Sequence, residues 1–314
     1  MKMFSIKAGR FAVILTALVV GLMSSCKKDD EPAPSPAKAT ISNLEIGSGN
    51  NGQAIIGRDF HLEMDVVAGT RIKNIQILIR QQQGQTYEKE WSYEATWDEF
   101  SGAKNTNVHK HFDIDKAAVE GTYDFVIRVN DENGSVTEEV HPIKLVSAAG
   151  LPVNPELYSF MLQKIGTGYL YILNRGFMLP DDKGFAKNDT VNAFVDIKGV
   201  KDDGIIYTLL IRKSANHLPE SVQDIDFSKV IVADMREHKA MKELDYFTNY
   251  VGMPDFTPRT MVIGATADNH LPVQNPVQGN KSWANGEYYF GVVYTNTTHN
   301  ISAHYYIPVT LSGF

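Results

Sequence analysis

Two short segments carry side chains whose types and spacing could hold a metal ion. Over 60–66, Phe60, Leu62, Met64 and Val66 alternate with His61, Glu63 and Asp65. Over 108–114, Val108, Phe112 and Ile114, with Lys110 a misfit among them, alternate with His109, His111 and Asp113. A β-strand sends successive side chains to opposite faces. The apolar sets must therefore face a core, and each polar set shares the other face. Side chains two apart on a strand start roughly 7 Å apart, and imidazole or carboxylate pairs at that spacing can converge on one ion with bonds of about 2.0–2.2 Å. If the two strands are neighbours, His61, Glu63, His109 and His111 form an N/O site suited to zinc, copper, nickel or iron. His141 is a further candidate. Plain surface histidines on solvated strands are the competing reading, because His-x-His also arises by chance.

The elements that must position these residues read as strands. Beyond Ala39 the hydrophobic period is close to two, at Ile41, Leu44 and Ile46 and again from Ile72 to Ile79. Turn chemistry at Gly47-Ser48-Gly49-Asn50-Asn51-Gly52 and at Asn133-Gly134 breaks the runs. This pattern predicts an all-β chain of antiparallel sandwiches. A weak internal repeat supports two of them. Gly121-Thr122-Tyr123-Asp124-Phe125 and Gly286-Glu287-Tyr288-Tyr289-Phe290 each open a hairpin of similar length, and Ile75 to Arg80 is echoed by Ile206 to Arg212. The expected organisation is a first immunoglobulin-like domain over 39–147 and a second over 155–314, in tandem.

The copies differ between the matched Arg and the matched Gly-x-Tyr-x-Phe, where the second has 73 residues (213–285) and the first only 40 (81–120). Long insertions on a rigid scaffold are where binding function is usually placed. Within this one, Met241, Leu244, Phe247 and Val251 recur at helical spacing and predict a helix over 233–251. The metal set is confined to the first copy, since Asn192 falls near the place of His61 and His270 stands alone.

The chain has 314 residues, a single Cys and a net charge of −7, which becomes more negative once a leader carrying Lys2, Lys7 and Arg10 is removed. One Cys excludes a disulfide scaffold and a Cys-based zinc site, and the acidic balance argues against nucleic acid as a partner. Residues 1–25 read as a signal peptide: a basic start, then an apolar run over 11–23 that is shorter than the ~20 residues a membrane span needs. Ser24-Ser25-Cys26 resembles a bacterial lipobox, which implies diacylation of Cys26, and two or three palmitate-length chains at ~0.8 kcal/mol per buried methylene anchor a protein stably. Lys28, Asp29, Asp30 and Glu31 resemble the export signal of Bacteroidota surface lipoproteins, which implies the extracellular side of the outer membrane. Residues 26–38 end in a proline-rich tether that should hold the folded part off the lipid.

Gly57-Arg58-Asp59-Phe60-His61-Leu62, Asn105-Thr106-Asn107-Val108-His109-Lys110-His111, Gly121-Thr122-Tyr123-Asp124-Phe125 and Asp131-Glu132-Asn133-Gly134 together resemble the domain-of-unknown-function 4625 family of Bacteroidota lipoproteins, over residues of about 40 to 146. The family pattern often has a His inside Gly-x-Tyr-x-Phe, where this sequence has Asp124. The resemblance implies a surface-lipoprotein sandwich near outer-membrane uptake systems and supplies no activity. No phosphate loop, zincin helix, nucleophile elbow or free Cys nucleophile is present in the sequence, so an enzyme is not the expected class. The expected function is a ligand-binding module that captures a transition metal, or a metal-containing ligand, for a partner transporter of the TonB-dependent type. The alternative is a glycan-binding or adhesive module, with Trp91, Trp97 and Tyr93 as a stacking platform.

Overall fold

Phe60, Leu62, Met64 and Val66 are all buried, and the segment that carries them is a strand with one dry face. Each such side chain contributes about 1.5–3 kcal/mol when fully buried. A slip of one residue would put His61, Glu63 and Asp65 into the core instead, so the register is strongly fixed. The computed structural model describes residues 35–179, 181–250 and 257–314, and Lys38–Phe314 form one compact unit. The leader, Cys26 and the run Lys28, Asp29, Asp30 and Glu31 lie outside the described residues.

The first half contains β1 (Thr40–Ile46), β2 (Gln53–Ile55), β3 (Asp59–Val67), β4 (Ile72–Gln81), β5 (Ser92–Trp97), β6 (Asn105–Asp113), β7 (Gly121–Asp131) and β8 (Val136–Val146). Sheet order is β1-β3-β6 in one layer and β2-β8-β7-β4-β5 in the other. Leu62, Met64, Ile77, Val108 and Phe125 belong to the one core that both layers cover. Lys110, the misfit on β6, runs its stem past the Trp97 ring to an ion pair with Glu99 at 2.7 Å, so its charge stays at the edge.

The second half contains β9 (Glu156–Lys164), β10 (Gly168–Ile172), β11 (Gly176–Phe177), β12 (Gly184–Ala186), β13 (Thr190–Arg212), β14 (Val230–Thr248), β15 (Met261–Val262), β16 (Gly286–Asn296) and β17 (Ile301–Ser312). All nine join one sheet, in the order β11-β10-β9-β13-β16-β17-β12, with β14 and β15 also on β13. The long β13 pairs with β9 over its first part and with β16 over its second, which lets one sheet curl around a core of Phe160, Leu162, Ile206 and Phe290. Between those parts Gly199 has φ +73°, and a Cβ there would stand 2.3 Å from the Asn154 carbonyl oxygen, so the crossing requires glycine. Among the described residues, no strand pairing crosses 147–155.

The internal repeat extends to topology. A short strand runs parallel to the last strand of each half, giving β2-β8-β7-β4 in the first and β12-β17-β16-β13 in the second. Tyr123 and Tyr288, the matched tyrosines, each donate their hydroxyl to the carbonyl four residues earlier, Val119 at 3.0 Å and Ala284 at 3.1 Å. Such a corner ties the incoming loop to a sandwich strand.

Of the helix expected over 233–251, residues 233–248 are instead most of β14, and Val251 lies outside the described residues. Ile231 and Ala233 face the main core, while Val230 and Val232 face a second apolar cluster on the sheet's other side. Only residues 230–234 of the strand are buried on both faces, and such a short continuous apolar run cannot be told from a helix by period. Further on, Met241 and Phe247 pack against the main core while Leu244 between them is exposed, so the spacing of three does not mark one buried face.

Candidate metal centre

β3 and β6 are antiparallel neighbours, with His61 opposite His111 and Glu63 opposite His109. All four side chains project from the outer face of the three-stranded layer, away from the core. That face is not left to solvent. The segment after β13 folds back over it, and Glu220 in that segment reaches the histidines. Three contacts hold Glu220 in place: Tyr306 donates its hydroxyl to the Pro219 carbonyl at 2.5 Å, Ser221 Oγ donates to Asp224 at 2.8 Å, and the Val222 amide donates to Thr295 Oγ1 at 2.9 Å. Ile225, with Val222 and Phe227 beside it, packs into the apolar cluster over β13 and β14 and anchors the rest of the segment.

One ligand atom from each of His61, His109, His111 and Glu220 lies within 4.8 Å of the other three. His111 Nε2 is 2.6 Å and His109 Nε2 3.5 Å from Glu220 Oε1, the two Nε2 atoms are 3.3 Å apart, and His61 Nδ1 is 3.1 Å from Glu220 Oε2. Donors bound to one tetrahedral ion at 2.0–2.2 Å stand about 3.3–3.6 Å from each other. The set is therefore already close to ligating geometry.

The far side of every ring meets a carboxylate. His111 Nδ1 is 2.5 Å from Asp59, His109 Nδ1 is 3.3 Å from Glu63, and His61 Nε2 is 3.7 Å from Glu45. Metal-ligating histidines characteristically give their other ring nitrogen to such a partner, which fixes ring orientation and tautomer. Asn107, two residues before His109, donates to Glu63 Oε1 at 3.1 Å and holds that carboxylate in turn.

The charges respond to this crowding. Burial pushes the Glu220 carboxyl up, but the imidazoles of His109, His111 and His61 gathered around it outweigh this and hold the group well below the ordinary carboxylate range. His111 is pushed up to about 10 by its hydrogen bonds to Asp59 and Glu220. His109 is raised as well, chiefly by Glu220. Without metal, protons thus occupy the place of a cation. His61 differs: it is buried, and neither ring nitrogen has a hydrogen bond of acceptable geometry. Glu220 stands at 3.1 Å from Nδ1 but misaligned, and Glu45 at 3.7 Å from Nε2 is too far for a hydrogen bond, so its lone pair has no hydrogen-bond donor.

Of the residues expected from sequence, His61, His109 and His111 come together. Glu63 stands behind His109, and Glu220 takes the fourth position at the centre. His141 sits on β8 in the other layer with Glu139 at 3.1 Å, apart from the cluster. Asp59, Glu45 and Glu220 were not singled out. For Glu220 no local signal exists, since it lies in a loop of the second half, and only the unusual length of that segment marked it.

The expected stacking platform is not open. Trp97 is buried in the first core, Trp91 is half-buried with its ring edge-to-face against Tyr123 at 5.5 Å, and Tyr93 stacks on Phe112 at 4.9 Å.

Residues 24–146 match the model of a domain of unknown function, DUF4625. The match ends where β8 ends, so it includes the three histidines and leaves out Glu220. No curated protein matches the chain. Among solved structures, the chain is similar to dimeric latent PorU from Porphyromonas gingivalis at 9% identity and a TM-score of 0.30, covering 91% of this chain and 21% of that one. It is also similar to a tetra-tandem repeat in the extending region of a large adhesion protein, at 8% identity and a TM-score of 0.23, covering 88% of this chain and 49% of that one. This chain thus spans less than half the length of either structure.

Proposed function

We propose that this protein binds a divalent transition-metal ion at His61, His109, His111 and Glu220. The observation that carries the reading is the paired arrangement of the rings: each turns one nitrogen toward a common point and the other toward a carboxylate. Three imidazoles and one carboxylate suit zinc, and copper binds such donors more tightly, with nickel and iron behind it. We further propose, on the lipobox-like Cys26 and the Lys-Asp-Asp-Glu run, a lipid-anchored protein on the outer face of the outer membrane. There it captures the ion, or a metal-containing ligand, for a TonB-dependent-type transporter. With Trp97 in the core, nothing favours the glycan-binding alternative.

Titrating the full chain with zinc should give tight binding that His109→Ala/His111→Ala weakens by at least a hundredfold. Equal affinity in the two proteins would overturn the reading. The pH dependence has a definite sign. His111 titrates near 10 without metal, so at neutral pH zinc must displace its proton. Affinity should then rise about tenfold per pH unit for each displaced proton between pH 6 and 8. A flat profile would mean that His111 is not a ligand.

The cellular address has its own check. Alanine at Lys28, Asp29, Asp30 and Glu31 should leave the protein in the membrane fraction but hide it from protease added to whole cells. Undiminished cleavage would rule out the export signal.

A further inference from the structure

A second group of potential ligands, Glu45, His61 and Glu63, adjoins the first and shares His61 with it. We propose that His61 bridges two metal ions, the first held through Nδ1 with His109, His111 and Glu220, the second held through Nε2 with Glu45 and Glu63. This rests on the reading of the first site given above and extends it to a binuclear centre.

The strand geometry suits the second group. Along β1 and β3 the register runs Ile41 to Val66 and Ser42 to Asp65, then shifts so that Glu45 stands opposite Glu63. Without the extra residue Leu44 would occupy that place. The bulge, with Asn43 at φ 49°, re-aims a carboxylate onto the face that carries His61. Like charges directly opposite one another on paired strands are destabilising, and a bound cation removes that cost. Both carboxylates are also held from behind. The Gly49 amide donates to Glu45 Oε1 at 2.7 Å and Asn107 donates to Glu63 Oε1 at 3.1 Å, which leaves further lone pairs on each group free for an ion.

His61 supplies the independent observation. Its side chain is only 5% exposed, both its nitrogens lack hydrogen bonds, and each faces a carboxylate oxygen, Glu220 at 3.1 Å from Nδ1 and Glu45 at 3.7 Å from Nε2. The separation from Glu45 is too long for a hydrogen bond and close to the distance between two donors on one ion. A buried imidazole with an open position at each end is suited to ligating at each end. Binding the second ion displaces the Nε2 proton, which passes to solvent, and leaves an imidazolate between the two cations. A cavity of about 570 Å³, lined by Glu45, His61, Glu63, His109 and Lys213, opens on this side. Water or an exogenous ligand can therefore complete the coordination of the second ion.

Elemental analysis and calorimetry on the full chain should find two zinc ions per chain, falling to one in Glu45→Gln with the tighter ion retained. One zinc in both proteins would overturn the bridge while the first site stands. No zinc in either would overturn both readings. In the unmodified chain loaded with two copper(II) ions, exchange through the imidazolate should suppress most of the electron-spin-resonance intensity. The full intensity of two isolated copper ions would show that His61 does not bridge.

Discussion

Glu220→Gln should weaken zinc binding by the full chain at least a hundredfold, the largest loss from any single change outside the histidines. Apparent free energies for four-ligand zinc sites run about 10–16 kcal/mol, so one ligand carries roughly 3 kcal/mol, or more than two factors of ten. Glutamine keeps the shape and one acceptor oxygen but not the charge, so a loss of this size would measure ligation rather than packing. The same change should destabilise the metal-free protein, because His111 and His109 would then have lost a carboxylate whose side chain is only 10% exposed. Breaking a buried ion pair costs about 3–5 kcal/mol. The pH profile separates the parts. Glu220 has a depressed value in the fold, so its contribution is present above its unfolded value of 4.5 and lost as pH falls below it. His111 has a raised value, so its contribution is complete below 6.5 and is lost as pH rises through about 10. Wild type should gain most from the cluster between those unfolded values, 4.5 and 6.5, and Glu220→Gln should flatten that gain. An unchanged chemical-denaturation profile across this range would show that the ion cluster contributes nothing to stability.

The half of the centre visible in the sequence is the half that follows a periodic rule. Alternation on 60–66 and, apart from Lys110, on 108–114 separates core from outer face, and it places His61, His109 and His111 on outer faces before any pairing is known. Strand adjacency then does the rest, since β3 and β6 bring residues of matched parity opposite each other. Glu63 shows the limit of the same rule: parity places it on the correct face, but only side-chain geometry decides that it backs His109 instead of joining the first site. Glu45 was concealed by the bulge in β1, which breaks the alternation that would have assigned its face. Glu220 belongs to a loop held by Tyr306, Thr295 and the cluster at Ile225, residues far apart in sequence whose meeting depends on the whole second sheet. The internal repeat was legible because Gly-x-Tyr-x-Phe marks a strand start whose tyrosine makes a specific backbone hydrogen bond. The segment read as a helix failed for a different reason: Leu244, which completed the helical spacing with Met241 and Phe247, is exposed, and the two that pack on the core are six apart, a separation that two-residue alternation also gives.

Because three ligands belong to the first half and the fourth to the second, zinc should act as a cross-link between them and should raise the melting temperature of the full chain. Among the described residues the halves also meet through polar contacts such as Asn51 to the Asn300 carbonyl at 2.9 Å and Arg58 to Glu156 at 3.1 Å. Exposed pairs of that kind are worth about 0–1 kcal/mol each. An ion bound only by the folded state stabilises by about 2.7 kcal/mol when free metal is a hundredfold above its dissociation constant. For a chain of this size each kcal/mol moves the midpoint by about 2–4 °C, which gives a rise of roughly 5–10 °C, reversed by a chelator. Hydrogen exchange locates the effect. If Glu220 ligates, zinc should slow exchange at residues 213–229 as well as along β3 and β6, and Glu220→Gln should abolish only the first of these. Protection confined to β3 and β6 in the wild type would mean that the ion is held by the first half alone, and that the loop merely covers a site it does not complete.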